Sequence, residues 1–366
     1  MAIVRFGDVA IRVNTKEDRY NTNLVYYVGG DHLETGELKV LGRGIIKDVD
    51  LGPMFYCGFK QGDILFVTRN PHLRKCAMAD FSGICSEKTF VIGTKDENVL
   101  MQKYLAIVMQ TDDFWDFMEE NKSGSVNYFI NWSTLADYEF DLPPMEEQKK
   151  LSELLWAAND LKEKYKKAIT ATDEILKAKF REMTCGVDYV CLGEIASEWI
   201  KGQSFKKNAI VKDGLHKCIH YGELFTKYGP VIENVISCTN ESIIRSSKRG
   251  DILFPASDVT PMGLSRCSAL MLDNVLLGGD IICMRPLSNN DAQFISYAIN
   301  QETSQLLKCV SGSIIKHLSA NRLKNVSIPI PPLSLQREFV AIAEKAESAK
   351  TALKKSIAAI DQVMKG

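Results

Sequence analysis

The two halves of this sequence carry the same motifs in the same order, 188 residues apart. The run KQGDILF at 60–66 is matched by KRGDILF at 248–254. Three further pairs share this offset: Gly124-Ser125 with Gly312-Ser313, Pro143-Pro144 with Pro331-Pro332, and Gln148 with Gln336. A constant offset along the chain predicts a tandem repeat, in which each unit of about 185 residues is large enough to form its own core.

Each half ends in a long segment that favours a helix. No glycine or proline occurs between Pro144 and Gly186, so a continuous helix of about 60 Å is expected there. Apolar residues in steps of three and four predict a helix-packing seam. In the first helix the seam contains Leu151, Leu154, Ala158, Leu161, Tyr165, Ile169 and Leu176. In the second it contains Phe339, Ile342, Ala346, Leu353, Ile357, Ile360 and Met364.

The pattern predicts an α+β protein in which two similar domains are separated by two long antiparallel coiled-coil helices. The predicted divisions are 1–142, 143–185, 186–331 and 332–366. Taken alone, the first long segment also fits one amphipathic helix packed on a domain; two matching helices favour packing on each other. Inside the domains, single helices are predicted at 98–121 and 292–307, from the spacing of their apolar residues.

Composition favours a cytoplasmic protein. No apolar run is long enough to span a membrane, and no segment resembles a signal peptide. The ten cysteines are scattered without a CxxC pair, which is typical of reduced thiols in the cytosol. The net charge of −1 means that any contact with nucleic acid depends on local patches.

The motifs of several catalytic classes are missing. The chain has no glycine-rich P-loop and no GxGxxG fingerprint, so it shows no nucleotide cradle. The segment Asp141-Leu142-Pro143-Pro144-Met145 has neither the Asp or Asn before the prolines nor the aromatic residue after them that an amino-methyltransferase requires. No histidine has zinc-site spacing. We therefore predict no catalytic residue, no metal site and no cofactor bound by this chain.

Two related, non-catalytic domains held apart by a helical spacer could read two places on one extended ligand. Duplex DNA suits such a protein, because a rigid helix fixes the distance between two recognition modules in base pairs. A coiled-coil scaffold whose domains bind proteins or peptides is the alternative that the residues leave open.

In the order of its motifs, the chain resembles the specificity subunit of type I restriction–modification systems. The resemblance extends over essentially the whole chain. It rests on both GDIL runs, the Gly-Ser loops, LPPMEEQK at 142–149, LGEI at 192–195 and IHYGEL at 219–224. The second helix start departs from the pattern, because Pro331-Pro332 is followed by Leu-Ser-Leu-Gln without the Glu-Gln pair.

The resemblance implies a non-catalytic subunit that reads a split, asymmetric target in double-stranded DNA, one half-site per target-recognition domain. It implies two modification subunits, which carry S-adenosylmethionine and methylate adenine, docked on the spacer helices. It also implies restriction subunits that use ATP and Mg. A specificity allele without active partners is a further alternative.

Candidate DNA contacts are the polar loops after each GDILF run and the two Gly-Ser loops. Arg, Lys, Asn, Ser and Thr side chains read base edges or hold phosphates. An ordinary surface-loop role is open for each. The candidates are Arg69, Asn70, His72, Arg74, Lys75, Ser123, Gly124, Ser125 and Asn127 in the first half, and Ser257, Asp258, Thr260, Arg266, Ser311, Gly312, Ser313 and Lys316 in the second.

Overall fold

The computed structural model describes residues 2–205, 207–242 and 244–365 of a mixed helix and sheet protein. Met1 and Gly366, the outer limits of the predicted divisions, lie outside these ranges. The chain divides into two compact units: unit 1 comprises Met1–Ile169 and Thr351–Gly366, and unit 2 comprises Thr170–Lys350. Each unit therefore includes part of both long helices, whereas the predicted division assigned the helices to separate segments.

Short strands and helices make up unit 1 before its first long helix. The strands are β1 Ala2–Arg5, β2 Ala10–Val13, β3 Tyr26–Val28, β4 Gly44–Ile45, β5 Phe55–Phe59, β6 Ile64–Val67, β7 Cys76–Met78, β8 Gly83–Ser86, β9 Thr89–Thr94 and β10 Glu139–Leu142. The helices are α1 Phe6–Val9, α2 Gln102–Val108, α3 Asp112–Glu120, α4 Trp132–Ala136 and α5 Met145–Met183, and 3-10 turns lie at Ile46–Asp48 and Pro71–Leu73.

Unit 2 follows α5 with a similar series. Its strands are β11 Tyr189–Cys191, β12 Ala196–Lys201, β13 Ile210–Val211, β14 His216–Ile219, β15 Val231–Ile232, β16 Cys238–Thr239, β17 Asp251–Pro255, β18 Ser257–Asp258, β19 Ser268–Leu270, β20 Leu276–Leu277, β21 Ile281–Pro286, β22 Lys316–His317 and β23 Ser327–Pro329. Its helices are α6 Leu192–Ile195, α7 Glu223–Thr226, α8 Pro261–Leu264, α9 Ala292–Gln301, α10 Thr303–Cys309, α11 Ala320–Leu323 and α12 Leu333–Lys365, and a 3-10 turn lies at Lys207–Ala209.

The GDILF runs form central strands of the main sheets. In unit 1 the sheet order is β2-β9-β6-β7, and in unit 2 it is β12-β21-β17-β19-β15. Every residue of β6 and β17 is buried, which explains why both strands read as continuous apolar runs. Smaller sheets, β4-β3-β8-β5 and β13-β16-β14-β20, lie in units 1 and 2 respectively.

Aromatic side chains fill the core of each unit. In unit 1, Phe66 of β6 packs with its ring centroid 5.5 Å from Trp115 and 6.1 Å from Phe114. In unit 2, Phe339 of α12 lies 5.8 Å from Phe294 and 5.4 Å from Phe180 of α5. The second core therefore includes side chains from both long helices.

The repeated prolines and glutamines fix the starts of α5 and α12. Gln148 is buried; its side chain accepts a hydrogen bond from the Met101 amide (3.0 Å) and donates one to the Pro143 carbonyl (2.9 Å). Gln336 likewise accepts from the Asp291 amide (2.8 Å) and donates to the Pro331 carbonyl (2.8 Å). In both places a buried amide satisfies backbone groups next to a helix start.

Two segments differ from the helices predicted for them. The segment predicted at 98–121 forms α2 and α3, separated at Thr111, whose hydroxyl caps α3 by accepting from the Phe114 amide. The segment predicted at 292–307 forms α9 and α10, with Glu302 between them. Apolar spacing continues across each break, so apolar periodicity alone marks neither boundary. Among the described residues, no helix is both long and apolar enough to cross a bilayer.

Candidate nucleic-acid interface

The loop that follows β6 in unit 1, residues 68–75, is held in a defined conformation. Asn70 (φ 54°) and Arg74 (φ 48°) both adopt the left-handed backbone conformation on either side of the 3-10 turn. At the base of the loop, the Thr68 amide and hydroxyl both donate to the Lys88 carbonyl, at 2.9 and 2.8 Å. We call these eight residues the 68–75 loop.

The Gly-Ser segment of unit 1 forms a tight hairpin, residues 123–129. Ser123 and Phe129 exchange two backbone hydrogen bonds of 2.9 and 3.0 Å. Gly124 has φ +97°, and a Cβ at this position would lie 2.8 Å from the Asn127 carbonyl oxygen. Glycine is therefore required to close the turn. We call this segment the 123–129 hairpin.

The 68–75 loop and the 123–129 hairpin lie side by side. Arg69 forms a β-bridge with Phe129, and the Asn70 amide donates to the Tyr128 carbonyl at 3.0 Å. The Arg69 guanidinium lies 4.9 Å above the Phe129 ring and 3.4 Å from the Asn127 carbonyl oxygen. Two segments that are separated in the sequence thus form one polar surface with an arginine at its centre.

Two of the predicted cations are held by contacts within the protein. Arg74 forms ion pairs with Asp112 and Asp116 of α3, the second at 3.2 Å. The Lys75 ammonium donates to the Gly30 carbonyl. Among the candidates of the 68–75 loop, this leaves Arg69, Asn70 and His72 as the groups best placed for an external ligand.

Unit 2 has a corresponding surface. Strand β18 pairs with β22, so that Ser257 lies opposite His317 and Asp258 opposite Lys316. Ser311 and His317 exchange backbone hydrogen bonds of 3.0 and 2.7 Å, which closes the 311–317 hairpin. The turn again requires glycine, because Gly312 has φ +101° and a Cβ there would overlap the Ile315 carbonyl.

Several polar groups of unit 2 stabilise this surface internally. Asp258 accepts hydrogen bonds from the Val259 amide (2.7 Å) and the Thr260 hydroxyl (2.8 Å). The Lys316 ammonium donates to the carbonyls of Gly312 and Ser313, both at 2.8 Å. In the next segment, Arg266 donates to the Phe225 carbonyl at 3.1 Å. Ser257, Ser311 and Ser313 extend the polar surface around these contacts.

The contacts of the two surfaces correspond at the offset of 188. Arg69 bridges Phe129, which bridges Ser123; Ser257 pairs with His317, which bridges Ser311. The sequence predicts the two outer segments of each surface as DNA contacts, but not Phe129 or His317, each of which lies between them in its own unit. The offset relates these two residues as well, so the signal was present despite their different side chains.

The aspartates of the GDILF runs have structural roles. Asp63 accepts a hydrogen bond from the Lys60 amide, and Asp251 accepts one from the Lys248 amide, both at 2.8 Å. Burial raises the pKa of the Asp63 carboxyl. Arg285 compensates the fully buried Asp251 through bonds of 2.9 and 3.0 Å. Among the described residues, no cluster of three or more His, Cys, Asp or Glu side chains could hold a metal ion.

The predicted helix seam is only partly buried. Leu176, Phe339 and Met364 are buried, and the half-buried members are Leu151, Ala158, Tyr165, Ile169, Ile342, Ala346, Leu353, Ile357 and Ile360. Leu154 and Leu161 are 65% and 41% exposed. The buried face of the first half of α5 is largely polar instead. It is formed by Gln148, Ser152, Asn159 and Lys162, together with Trp156. An apolar periodicity could not identify that face.

Buried lysines connect the two long helices inside each unit. In unit 1, Lys162 of α5 lies 2.7 Å from Asp361 of α12 and 3.0 Å from Glu37. In unit 2, Lys350 of α12 lies 2.6 Å from Asp173 of α5. Burial favours a lower pKa for both lysines, but their carboxylate partners outweigh it and the pKa values are raised. The two lysines correspond at the offset of 188, and so do Asp173 and Asp361. No sequence motif singles these four residues out.

Comparisons with known proteins identify relatives of this chain. The family described as "Type I restriction modification DNA specificity domain" matches residues 186–362. Over 342 residues the chain is 21% identical to the type I restriction enzyme MjaX specificity subunit of Methanocaldococcus jannaschii, a match that covers 86% of this chain and 77% of the relative. The chain is thus similar to type I specificity subunits, and its residues 186–362 match their domain family.

Further comparisons agree with this assignment. A specificity subunit of the EcoDI type I restriction enzyme from Escherichia coli is 23% identical over 207 residues, 54% of this chain but only 42% of that relative. The chain thus matches less than half of the length of the EcoDI subunit. The type I S subunit from M. genitalium has the same fold, with a TM-score of 0.62 and 14% identity over 100% of this chain and 95% of the other. A chain of a type I restriction–modification system, whose structure addresses complex assembly, has a TM-score of 0.54 and 18% identity to this chain. The match covers 99% of this chain and 95% of the other.

Proposed function

We propose that this chain is a non-catalytic specificity subunit that reads a bipartite, asymmetric target in double-stranded DNA, with one half-site per domain. The observation that carries the proposal is the pair of bridged surfaces: the 68–75 loop with the 123–129 hairpin, and Ser257 and Asp258 with the 311–317 hairpin. Each brings hydrogen-bonding side chains and backbone groups together in one place, as base-edge and phosphate recognition requires. The domains are taken as residues 1–142 and 186–331.

The different chemistry of the two surfaces supports an asymmetric target. Unit 1 presents Arg69, Asn70 and His72, whereas unit 2 presents serines around an aspartate and a lysine that are already hydrogen-bonded. Arginine pairs most readily with guanine, and serine or threonine hydroxyls are less selective. Two different sets of side chains are expected to read two different half-sites.

The contacts between α5 and α12 support a tandem repeat with an antiparallel two-helix coiled coil between its domains. In unit 2, Asp173 of α5 contacts Lys350 of α12, and Phe180 of α5 contacts Phe339 of α12. Residue numbers increase along α5 in the direction in which they decrease along α12, so the two helices are antiparallel there. In unit 1, Lys162 contacts Asp361. The offset of 188 relates these two Lys–Asp pairs with the helices exchanged, as a tandem repeat predicts.

Exposed leucines support docking of two modification subunits on the helices. Leu154 and Leu161 are one heptad apart on the outer face of α5 and are 65% and 41% exposed. An exposed apolar stripe at this spacing suits packing by a partner helix. The partners carry S-adenosylmethionine, and restriction subunits carry ATP and Mg; the complex acts in the cytoplasm.

A selection from randomised duplex DNA tests the half-site assignment. Complexes with modification subunits are prepared with Asn127→Ala in the first hairpin or Ser313→Ala in the second, and the bound sequences are compared with those of the wild type. Each variant is expected to relax one or more positions of a different half-site. Relaxation of the same half-site by both variants, or an undivided target for the wild type, would contradict the proposal.

A further inference from the structure

A pair of cysteines lies opposite each other in the small sheet of unit 1. Strands β5 and β8 are antiparallel, and Cys57 is the register partner of Cys85. Opposite residues of an antiparallel pair point to the same face, with Cα atoms about 4.5–5.5 Å apart, and a disulfide spans Cα separations of about 4.4–6.8 Å. The backbone therefore already holds the pair at a distance that a disulfide can span.

The two thiols differ in their access to solvent. Cys85 is fully buried in a cluster with Val28, Leu65 and Val91, and Cys57 packs against the edge of the same cluster while remaining partly exposed. A small oxidant can therefore reach Cys57 first. Cys85 lies behind it, protected from the solvent but in contact with its partner.

Charged neighbours favour the thiolate of Cys57. The hydrogen bond from Cys85, with Arg12 and Lys16 close by, lowers the pKa of Cys57 to about 7, against the opposing effects of burial and Glu87. The pKa of Cys85 is raised by its hydrogen bond to Cys57, by burial and by the charge of Asp63. A partly exposed cysteine with a low pKa beside a second thiol is the usual arrangement of an oxidant-sensitive site.

Other cysteines of the chain lack one or more of these properties. Cys76, Cys267 and Cys283 are buried, and burial raises their pKa values. In unit 2, Cys238 pairs with Lys217 rather than with Cys218, and burial raises the pKa of Cys218 to about 11. Cys218 and Cys238 therefore provide an internal control, two nearby cysteines that are not register partners.

We propose that Cys57 and Cys85 form a modification site for hydroperoxides, at which Cys57 is oxidised and Cys85 resolves the product into a reversible disulfide. The Cys57 thiolate attacks the terminal oxygen of the hydroperoxide ROOH and breaks its O–O bond. ROH leaves with the thiol proton, and Cys57 becomes a sulfenic acid. The Cys85 sulfur then attacks the Cys57 sulfur, forming the S–S bond, and the sulfenic hydroxyl leaves as water with the Cys85 proton. Overall, two thiols and ROOH give a disulfide, ROH and H2O.

Peptide mapping after brief treatment of the full chain with hydrogen peroxide tests the site. The wild type is expected to give a Cys57–Cys85 linked peptide pair that dithiothreitol separates, while Cys218 and Cys238 remain alkylatable. With Cys85→Ala, Cys57 is expected to accumulate as a sulfenic acid that dimedone traps. Because the wild-type map needs no variant, the test holds even if Cys85→Ala is poorly folded.

The pH dependence gives a second readout. Since the pKa of Cys57 is about 7, its thiolate fraction, and with it the initial rate of disulfide formation, should rise about tenfold between pH 6 and pH 8. Oxidation of Cys218 and Cys238 at the same rate as Cys57, or oxidation of Cys57 beyond the sulfenic acid without a bond to Cys85, would overturn the proposal.

Discussion

Arg69 and Arg74 lie in one loop but have different surroundings, which gives a matched pair of substitutions. Arg69→Ala should weaken DNA binding by about 1–3 kcal/mol, because Arg69 is partly exposed beside the 123–129 hairpin and has only weak internal contacts. Its thermal stability should remain close to that of the wild type. Fluorescence anisotropy with target DNA and a thermal melt measure the two effects.

Arg74→Ala is the control for this comparison. Arg74 is paired with Asp112 and Asp116, so its loss should lower the free energy of unfolding by about 1 kcal/mol and leave DNA affinity nearly unchanged. The reverse pattern, in which Arg74 matters more for DNA binding than Arg69, would contradict the assignment of the surface.

Gly124 and Gly312 are the residues whose conformation each hairpin most depends on. Both have φ near +100°, and alanine would place its Cβ against a carbonyl of the same turn. Gly124→Ala and Gly312→Ala should each cost about 1–3 kcal/mol of stability and weaken DNA binding. Gly52→Ala is the control, since open space surrounds that position. Equal melting temperatures for Gly124→Ala and Gly52→Ala would show that the hairpin tolerates a side chain.

Among the helices and strands, the buried lysines are expected to stabilise the packing of α12 on α5. Lys162→Met and Lys350→Met should each destabilise the protein by about 3 kcal/mol, because each leaves carboxylates without their buried partner. The exposed Lys164→Met should change stability by less than about 0.5 kcal/mol. Urea denaturation measures the difference, and equal midpoints for Lys162→Met and Lys164→Met would contradict this role.

The same pairs predict the sign of a pH effect. The folded-state pKa values of Lys162 and Lys350 are raised above the ordinary 10.5, so their stabilisation is fully present below pH 10.5. It should be lost as pH rises above 10.5 through the folded-state values. The stability difference between the wild type and Lys162→Met should therefore shrink in alkaline solution; a constant difference would argue against the ion pairs as its cause.

Leu154 and Leu155 distinguish partner docking from internal packing. Leu154→Asp places a charge on the exposed face of α5, so it should leave the melting temperature nearly unchanged but reduce co-purification with modification subunits. Leu155 packs against the core of unit 1, so Leu155→Asp should destabilise the chain itself. Unchanged assembly with Leu154→Asp would exclude this face as a docking site.

The elements also show how far sequence reasoning reaches. The segments without Gly or Pro predict the extent of the long helices. The predicted segment 143–185 contains α5, Met145–Met183. The predicted segment 332–366 contains α12, Leu333–Lys365. The buried face of the first half of α5 could not be predicted, since Gln148, Ser152 and Lys162 become buried only through tertiary contacts. For the candidate interface, the motifs selected the loops, but whether Arg74 binds DNA or Asp112 depends on packing that a sequence does not show.

In the whole molecule, the proposed function depends on two similar surfaces with different side chains. The offset of 188 relates their bridges, their glycines and the lysine–aspartate pairs of the long helices. Under the proposed function this chain needs no catalytic centre, because its contribution to the complex is the choice of DNA sequence. Changes in one domain should alter one part of the target and leave the chemistry of the partners unchanged.

Genome-wide mapping of methylated adenine, in cells with and without this gene, tests whether the chain specifies a bipartite target. Deletion is expected to remove methylation from one motif, consisting of two short, different half-sites around a fixed gap. Complementation with Arg69→Ala should relax or reduce methylation through one half-site only. Loss of a single continuous motif, or of no motif in cells whose modification subunits are active, would contradict a bipartite specificity function.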